Sequence, residues 1–369
     1  MGNLDKATRA RFMVAGILVA SCPVLMWVFG RFGQRLFPAY RLCSKAIMGT
    51  LAIVTSIAPC AVWDIGIVVL VVVTVVTLVR CIRKKLSLLP LLSTVCLAVA
   101  CNLFLFVDCW ALNHYAPPLA NDLGLEVSQY TTDELVDATA FYLRKAARLA
   151  PRVPRNHDDS LAKQDFYELA SIAGASYTDL ANTYPVFCGS TVPVKVLLVW
   201  GEPLLYTGHT GMFWAPTGES GVPLNSAVAD LPYIMCHEAA HRLGLASEQE
   251  ANFAAFLACE TSGDVRFAYS GYYNAFCYCL NALAHTDPGR IQALLQEVVD
   301  EDLYREVILV LDDRTTTREH YQAYEGPVEN VGTAVNNAYL KSFGADGGVR
   351  SYGFVVDYLI AWKQQSPDK

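Results

Sequence analysis

The run Cys236-His237-Glu238-Ala239-Ala240-His241 sets two imidazoles four positions apart with a carboxylate beside the first. On a helix that spacing puts His237 and His241 on one face, where both can grip one metal ion, and it leaves Glu238 next to a water that the metal activates. The chemistry implied is hydrolysis of an amide bond, with zinc lowering the pKa of the water and polarising the carbonyl while Glu238 carries the proton from water to leaving amine. The plainer alternative is a buried helix holding a hydrogen-bonded histidine pair and no metal.

Catalytic zinc takes three protein ligands and keeps one position open. Glu248 and Glu250 are the candidates for the third, and they point about 200° apart on an α-helix, so only one can face the ion. Glu248 is favoured because Asn252 follows it at i+4, where a polar residue can accept from the far N–H of a ligand histidine. Glu250 shares a face with Phe253, Ala254 and Leu257, and otherwise reads as a solvated first-turn acid stabilised by the helix dipole. A donor for the developing oxyanion is sought in Tyr269, then Tyr272, Tyr273 and Arg266, although with 19 tyrosines in the chain ordinary packing competes for each. His209 reads as a solvated loop residue. Cys236 faces away from the metal as a small buried residue, and Cys277 and Cys279 diverge on a helix.

These residues need elements to hold them. The end of a helix is marked at Gly244, and a second helical pattern beginning at Glu248 brings an acid back towards the histidines. Thr131-Thr132-Asp133-Glu134 is a capping box that opens an amphipathic helix to about residue 150. A further helical pattern covers 158–184. Residues 192–200 are β-branched and read as a strand, with short strands at 211–215 and 221–225. Phe213-Trp214 with Gly218-Glu219-Ser220 reads as an edge strand able to pair an extended peptide, or equally as an ordinary apolar strand. From 231 onward helices are expected over 231–244, 248–261, 265–285, 288–311, 317–341 and 349–364. Strands followed by a helical remainder indicate an α+β fold, with a small sheet before the H-E-x-x-H helix.

The front of the chain is a different object. Residues 1–111 carry 11 Lys+Arg and 3 Asp+Glu, which leaves 17 and 32 for residues 112–369. The net charges are +8 and −15. An acidic domain excludes nucleic acid as a natural partner, since phosphate binding calls for a surplus of Lys and Arg. Apolar runs over about 12–30, 61–79 and 86–107 each approach the roughly 20 residues that cross a bilayer. The first is longer than the apolar region of a signal peptide and no clear cleavage site follows it, so it is expected to anchor. Residues 46–58 are too short to span and read as interfacial or re-entrant. Placing Lys6, Arg9 and Arg11 together with Arg80, Arg83, Lys84 and Lys85 in the cytoplasm leaves Arg31, Arg35, Arg41 and Lys45 outside. The expected organisation is a membrane domain over 1–111 and an acidic domain over 112–369 outside the cell. Five of the twelve cysteines fall in the second part, an odd number, so at least one thiol there lies outside any internal disulfide.

The sequence resembles a family of bacterial membrane proteins catalogued as a domain of unknown function with an H-E-x-x-H core. The resemblance is carried by Thr210-Gly211-Met212-Phe213-Trp214-Ala215-Pro216-Thr217-Gly218-Glu219, Leu231-Pro232 ahead of Cys236 to His241, Glu248-Gln249-Glu250-Ala251-Asn252-Phe253 and Tyr269-Ser270-Gly271-Tyr272. Tyr339-Leu340-Lys341, Ser351-Tyr352-Gly353 and Val355-Val356-Asp357 extend it over nearly the full chain. It implies a zincin-like, peptidase-type fold. Glu248 to Asn252 is also similar to the E-x-x-A-D of membrane-bound gluzincin peptidases, whose first Glu binds zinc; the likeness implies Glu248 as ligand. Those peptidases insert far more chain between the second histidine and that glutamate.

The function expected is therefore a membrane-anchored, multi-pass zinc metallopeptidase acting on peptides or proteins outside the cell. An intramembrane protease is disfavoured, because Asp230 and the polar run 242–250 interrupt any apolar span around the motif. A membrane scaffold or sensor that retains a metallopeptidase fold, and hydrolysis of a non-peptide amide, are the alternatives.

Overall fold

In the computed structural model, which describes residues 5–85, 87–343 and 355–365, the first helix runs unbroken for 50 residues. This helix, α1 (Lys6–Thr55), starts at Asp5, whose carboxylate accepts from Thr8 N at 2.8 Å. It takes in the expected span 12–30 and continues through residues 46–55, which extend the same helix and do not form a separate segment. They stay helical because they pack on the rest of the protein: Met48 and Ala52 are buried, and Thr55 Oγ1 donates to Thr217 O at 3.3 Å. Next come α2 (Val62–Arg83) and α3 (Leu89–Val107). All three are long and apolar enough to cross a membrane. The helices α1 and α3 run parallel, with Arg11 bonded to Ser93 and Ser21 to Asp108.

The remainder is mostly helical. A short α4 (Leu119–Leu123) leads to α5 (Thr132–Leu149), which opens with the complete Thr131/Glu134 capping box. Then follow α6 (Phe166–Ala175) and α7 (Tyr177–Thr183). The helical pattern of 158–184 is thus realised only from 166, where Asp165 caps α6 by accepting from Glu168 N at 2.8 Å. After β1 (Lys195–Leu197), α8 (Gly201–Leu205), β2 (Met212–Trp214) and β3 (Glu219–Pro223) come α9 (Leu231–Arg242), α10 (Glu248–Thr261) and α11 (Val265–Thr286). The chain then forms α12 (Ile291–Val298), α13 (Tyr304–Gln322), α14 (Pro327–Ser342) and α15 (Val355–Gln365). The continuous helix expected over 317–341 is divided at Gly326-Pro327, because proline starts a helix far better than it continues one. A π turn at Val299–Leu303 likewise divides 288–311. Of the segment 349–364, residues 349–354 lie outside the described residues.

The sheet has the order β1-β3-β2, with β1 parallel and β2 antiparallel to β3. Central β3 is buried throughout, and β2, at the edge of the sheet, pairs with β3 alone among the described residues. The strand expected over 192–200 ends at Leu197. There Asp64, from the first turn of α2, draws the chain off the sheet by accepting from Leu198 N, Val199 N and Trp200 N at 2.7, 2.8 and 2.7 Å. Lys195 and Glu219 form a buried ion pair at 2.6 Å. Glu219 also accepts from Val62 N at 2.9 Å and Trp63 N at 3.2 Å, which satisfies the orphan donors at the start of α2.

The main core gathers α5, α6, α9, α10, α11 and α15 around fully buried Tyr142, Phe253, Phe256, Phe267 and Phe276. A second core crosses the boundary expected at residue 111: Met48, Val107 and Trp110 pack with Phe213, Ala215 and Ala246. Two cations of α1 are also taken up by the following domain. Arg41 forms a two-pronged pair with Asp122 at 3.0 and 2.8 Å, and Lys45 donates to Cys188 O at 2.8 Å and to Val186 O. All twelve cysteines are free thiols.

Because Asp64 carries three backbone donors on one buried carboxylate, Asp64→Ala is expected to cost about 2–4 kcal/mol, a charge-assisted bond being worth about 1.5–3. Thermal unfolding of the full chain in detergent should show Tm falling by roughly 3–5 °C. A fall under about 2 °C would mean that this tie between α2 and the sheet contributes little.

Candidate metal centre

Nearly every residue of α9 is buried, since the helix threads between β3, α6, α10 and α11. Carbonyls in its last two turns are met by outside donors. Tyr177 OH donates to Cys236 O at 2.9 Å, Ser220 Oγ to Glu238 O at 2.7 Å, and Trp110 Nε1 to His241 O at 2.8 Å. The sheet and the segment after α3 thereby fix the rotation of the helix and the face that the histidines present.

Gly244 ends the helix with φ of +89°, a conformation open to glycine and strained for other residues. The reversal turns the Leu245 carbonyl back to His241 Nδ1 at 2.7 Å. A carbonyl can only accept, so Nδ1 holds a proton and the neutral ring presents a lone pair at Nε2. For His241 this backbone carbonyl supplies the support that sequence reasoning assigned to Asn252, whereas His237 Nδ1 has no hydrogen-bond partner among the described residues. Asn252 itself lines the cavity, its Nδ2 has no hydrogen-bond partner among the described residues, and its carbonyl accepts from Tyr233 OH at 2.8 Å.

The same reversal places Glu248 at the first position of α10. His237 Nε2 lies 3.0 Å from His241 Nε2 and 3.2 Å from Glu248 Oε2, and His241 Nε2 lies 3.7 Å from Glu248 Oε1. Three potential ligand atoms thus fall within 4.8 Å of one another. Burial opposes a charge on His241, but the Glu248 carboxylate outweighs it and pushes the imidazole up to about 9. Burial likewise opposes the charge on Glu248, which His241 and His237 nevertheless hold well below the usual carboxylate range. The cluster therefore draws in positive charge, a proton in the metal-free protein. Two nitrogens and one carboxylate oxygen also make the donor set that a divalent zinc prefers. The residues present fit such an ion.

Glu238 sits beside the cluster, and burial pushes its carboxyl up to about 7. Its Oε2 has no hydrogen-bond partner among the described residues. Gly211, at the start of β2, lies so close that a Cβ there would meet Glu238 Oε1 at 2.5 Å. The cluster opens into a cavity of about 370 Å³. Its walls come from Phe106 and Trp110 around the end of α3, the chain from Gly208 through Phe213, α9, α10, Tyr278 of α11, and Asn336 and Tyr339 of α14.

Of the site residues weighed from sequence, the structure brings together His237, Glu238, His241, Glu248 and Asn252, puts His209 on the wall of the same cavity, and leaves Glu250, Tyr269, Tyr272, Tyr273 and Arg266 elsewhere. Glu250 is neither in the cluster nor solvated: it is buried, accepting from Leu119 N at 2.7 Å and Tyr358 OH at 3.2 Å. Tyr269 does not reach the cavity, because its hydroxyl is bonded to Asp313, the buried partner of Arg155 at 2.7 Å. Tyr272 bonds Glu260 at 2.7 Å, Tyr273 is buried, and Arg266 pairs with Asp264 and Glu168, each at 2.7 Å. His209 lines the cavity with Nδ1 at 2.9 Å from Thr207 Oγ1. Tyr339, assigned no role from sequence, lines the cavity with its hydroxyl 2.8 Å from His114 Nε2. Its one signal was its place in the Tyr339-Leu340-Lys341 segment that carries the resemblance. Cys236 is buried on the far side of α9, within 3.8 Å of Ser176 Oγ.

The model of the family described as "Protein of unknown function (DUF3810)" matches residues 40–360. No curated protein and no solved structure matches the chain. The segments that carry the resemblance fall within the matched span, among them Ser351-Tyr352-Gly353, which lies outside the described residues.

Since a core is shared across residue 111, metal content is best measured on the full chain. Purified in detergent, it is expected to hold about one zinc per molecule by plasma mass spectrometry, and His237→Ala/His241→Ala to hold none. Glu248→Ala should lose most of the metal, whereas Glu250→Gln should keep it and unfold at lower temperature. The reverse order for the two glutamates would move the third ligand to Glu250.

Proposed function

The chain belongs to the DUF3810 family, and on that premise we propose that it is a membrane-anchored zinc metallopeptidase. One observation carries the reading: His237, His241 and Glu248 converge within 4.8 Å beside the carboxylate of Glu238, at the wall of a cavity. The fold class inferred with it is zincin-like. Bound by these three ligands, zinc would lower the pKa of a water molecule and polarise a scissile carbonyl.

The remaining work falls to residues of the chain. Glu238 accepts a proton from the attacking water and returns it to the leaving amine. Gly211 lets β2 approach that carboxylate closely, so a peptide added to the outer edge of β2 runs past Glu238. Tyr339, and not Tyr269, is the hydroxyl available to the carbonyl oxygen as its charge develops. In the His114 tautomer that carries its proton on Nε2, the imidazole donates to the phenol oxygen and leaves the phenol proton to point into the cavity.

Residues 1–111 are read as a three-span anchor in the cell membrane, with the acidic domain outside the cell. The positive-inside rule supports that sidedness. Of the cations it leaves outside, Arg41 and Lys45 are absorbed by Asp122 and by backbone carbonyls, which removes part of the charge that opposes it.

Glu238→Gln is expected to lower kcat on a cleaved peptide by about 10²–10⁴-fold with zinc content unchanged. A cellular phenotype that survives this substitution would instead fit a scaffold that keeps the fold without the reaction. Tyr339→Phe should lower kcat by about 10²-fold with KM little altered. Tyr269→Phe should leave turnover intact and lower Tm, because its hydroxyl serves the Arg155–Asp313 pair; equal losses from the two variants would overturn the assignment to Tyr339.

A further inference from the structure

Four of the six tryptophans gather where the apolar helices end. Trp63 lies in the first turn of α2 and stacks on Trp214 of β2 with ring centres 5.1 Å apart. Trp110 follows the end of α3 and packs on Phe213 at 5.3 Å. Trp200 belongs to the segment held by Asp64. Trp63 and Trp110 are buried within the protein, whereas Trp200 is exposed and Trp214 half-buried. Tryptophan favours the boundary between hydrocarbon and water, so these last two rings, beside the ends of the spans, mark the level at which the spans leave a bilayer.

The cavity touches that level. Phe106, in the last turn of α3, and Trp110 both line it, and Trp110 donates the hydrogen bond to the carbonyl of His241. The strand beside Glu238 is the one that carries Trp214. Next to the start of α2, Leu198, Val199 and Trp200 are 57%, 44% and 38% exposed. Their backbone N–H groups are all satisfied by Asp64. Three such side chains in a row can enter an apolar medium because no peptide donor goes in unpaired with them. The helix that closes another wall of the cavity ends there too. Tyr339 of α14 packs on Phe106 at 5.6 Å, while Val328, Val331 and Val335, at helical spacing along the same helix, stay 54%, 63% and 65% exposed.

We infer that the cleft works at the bilayer surface and takes polypeptide segments lying within about ten residues of the substrate's own membrane anchor, the reach of an extended chain of roughly 33 Å. This rests on the peptidase reading and narrows its substrate class. A peptide paired to β2 passes Trp214 and therefore lies along the boundary. A loop carried far above the membrane would have to descend to that level and give up more conformational freedom.

The test uses the full zinc-loaded chain in proteoliposomes. A library of randomised decapeptides is fused to a single transmembrane helix, facing the same side as the acidic domain. In one arm the library lies about six residues from the end of that helix, and in a second it follows a flexible Gly/Ser spacer of about sixty. A third arm is the free library, and a soluble protease of broad specificity normalises accessibility. Cleavage in the first arm is expected to exceed the second by about tenfold or more, as confinement raises the effective concentration at the cleft. Equal cleavage in the first two arms would overturn the inference and leave the peptidase reading standing. No cleavage in any arm by protein that retains its zinc would overturn the peptidase reading, and the inference with it.

Discussion

The site depends on one turn. Gly244, at φ +89°, lets the chain reverse within the few residues between α9 and α10. Two things then return to His241 together: the Leu245 carbonyl at Nδ1 and the Glu248 carboxylate near Nε2. The first sets which nitrogen is available to a cation, and the second balances the charge of that cation. A longer connection would separate these effects and require other packing to place the acid. Here the backbone does it, which explains how so short an interval between histidine and glutamate suffices.

A second constraint ties this turn to the apolar helices. Gly244 packs on Asn113, whose Nδ2 donates to Ser44 Oγ at 3.1 Å and to Trp110 O at 2.7 Å. Residues of α1, of the segment after α3 and of the turn beside the His237–His241–Glu248 cluster thus belong to one packed unit. Few of these links are apolar contacts alone. Trp110 to His241, Glu219 to the start of α2 and Asp64 to 198–200 are buried polar bonds whose partners lose more when separated than they gain when joined. The connection is directional as well as adhesive: it fixes how the cleft is oriented relative to the spans.

Much of the cluster was legible in the sequence because helical spacing is a local rule. His237 and His241 follow from i,i+4, and Glu248 was favoured over Glu250 by the face it shares with Asn252. What was not legible came from distant chain. Leu245 contributes a carbonyl, which no side-chain pattern can announce. Tyr339 lies 98 positions after His241 and reaches the cavity only through the packing of α14 on Phe106. Tyr269 was attractive because it lay close in sequence, but Asp313 from α13 claimed its hydroxyl. In the fold, the helices after residue 231 were readable from periodicity except where Gly326-Pro327 and the π turn intervened. The length of α1 was not, because polar residues at 31–45 break an apolar run without breaking a helix. Three of them, Arg41, Ser44 and Lys45, find partners in the following domain.

The thiols carry a last consequence. Cys236, Cys259 and Cys279 are buried, with Cys236 and Cys259 hydrogen-bonded thiols at the contact between α9 and α10, while Cys188 is exposed. Desolvation keeps Cys259 and Cys279 in the unreactive protonated form. In an oxidising compartment such sulfurs are safe only while the interior stays shut, so their rate of alkylation is a clock for how often the helices around the histidines part.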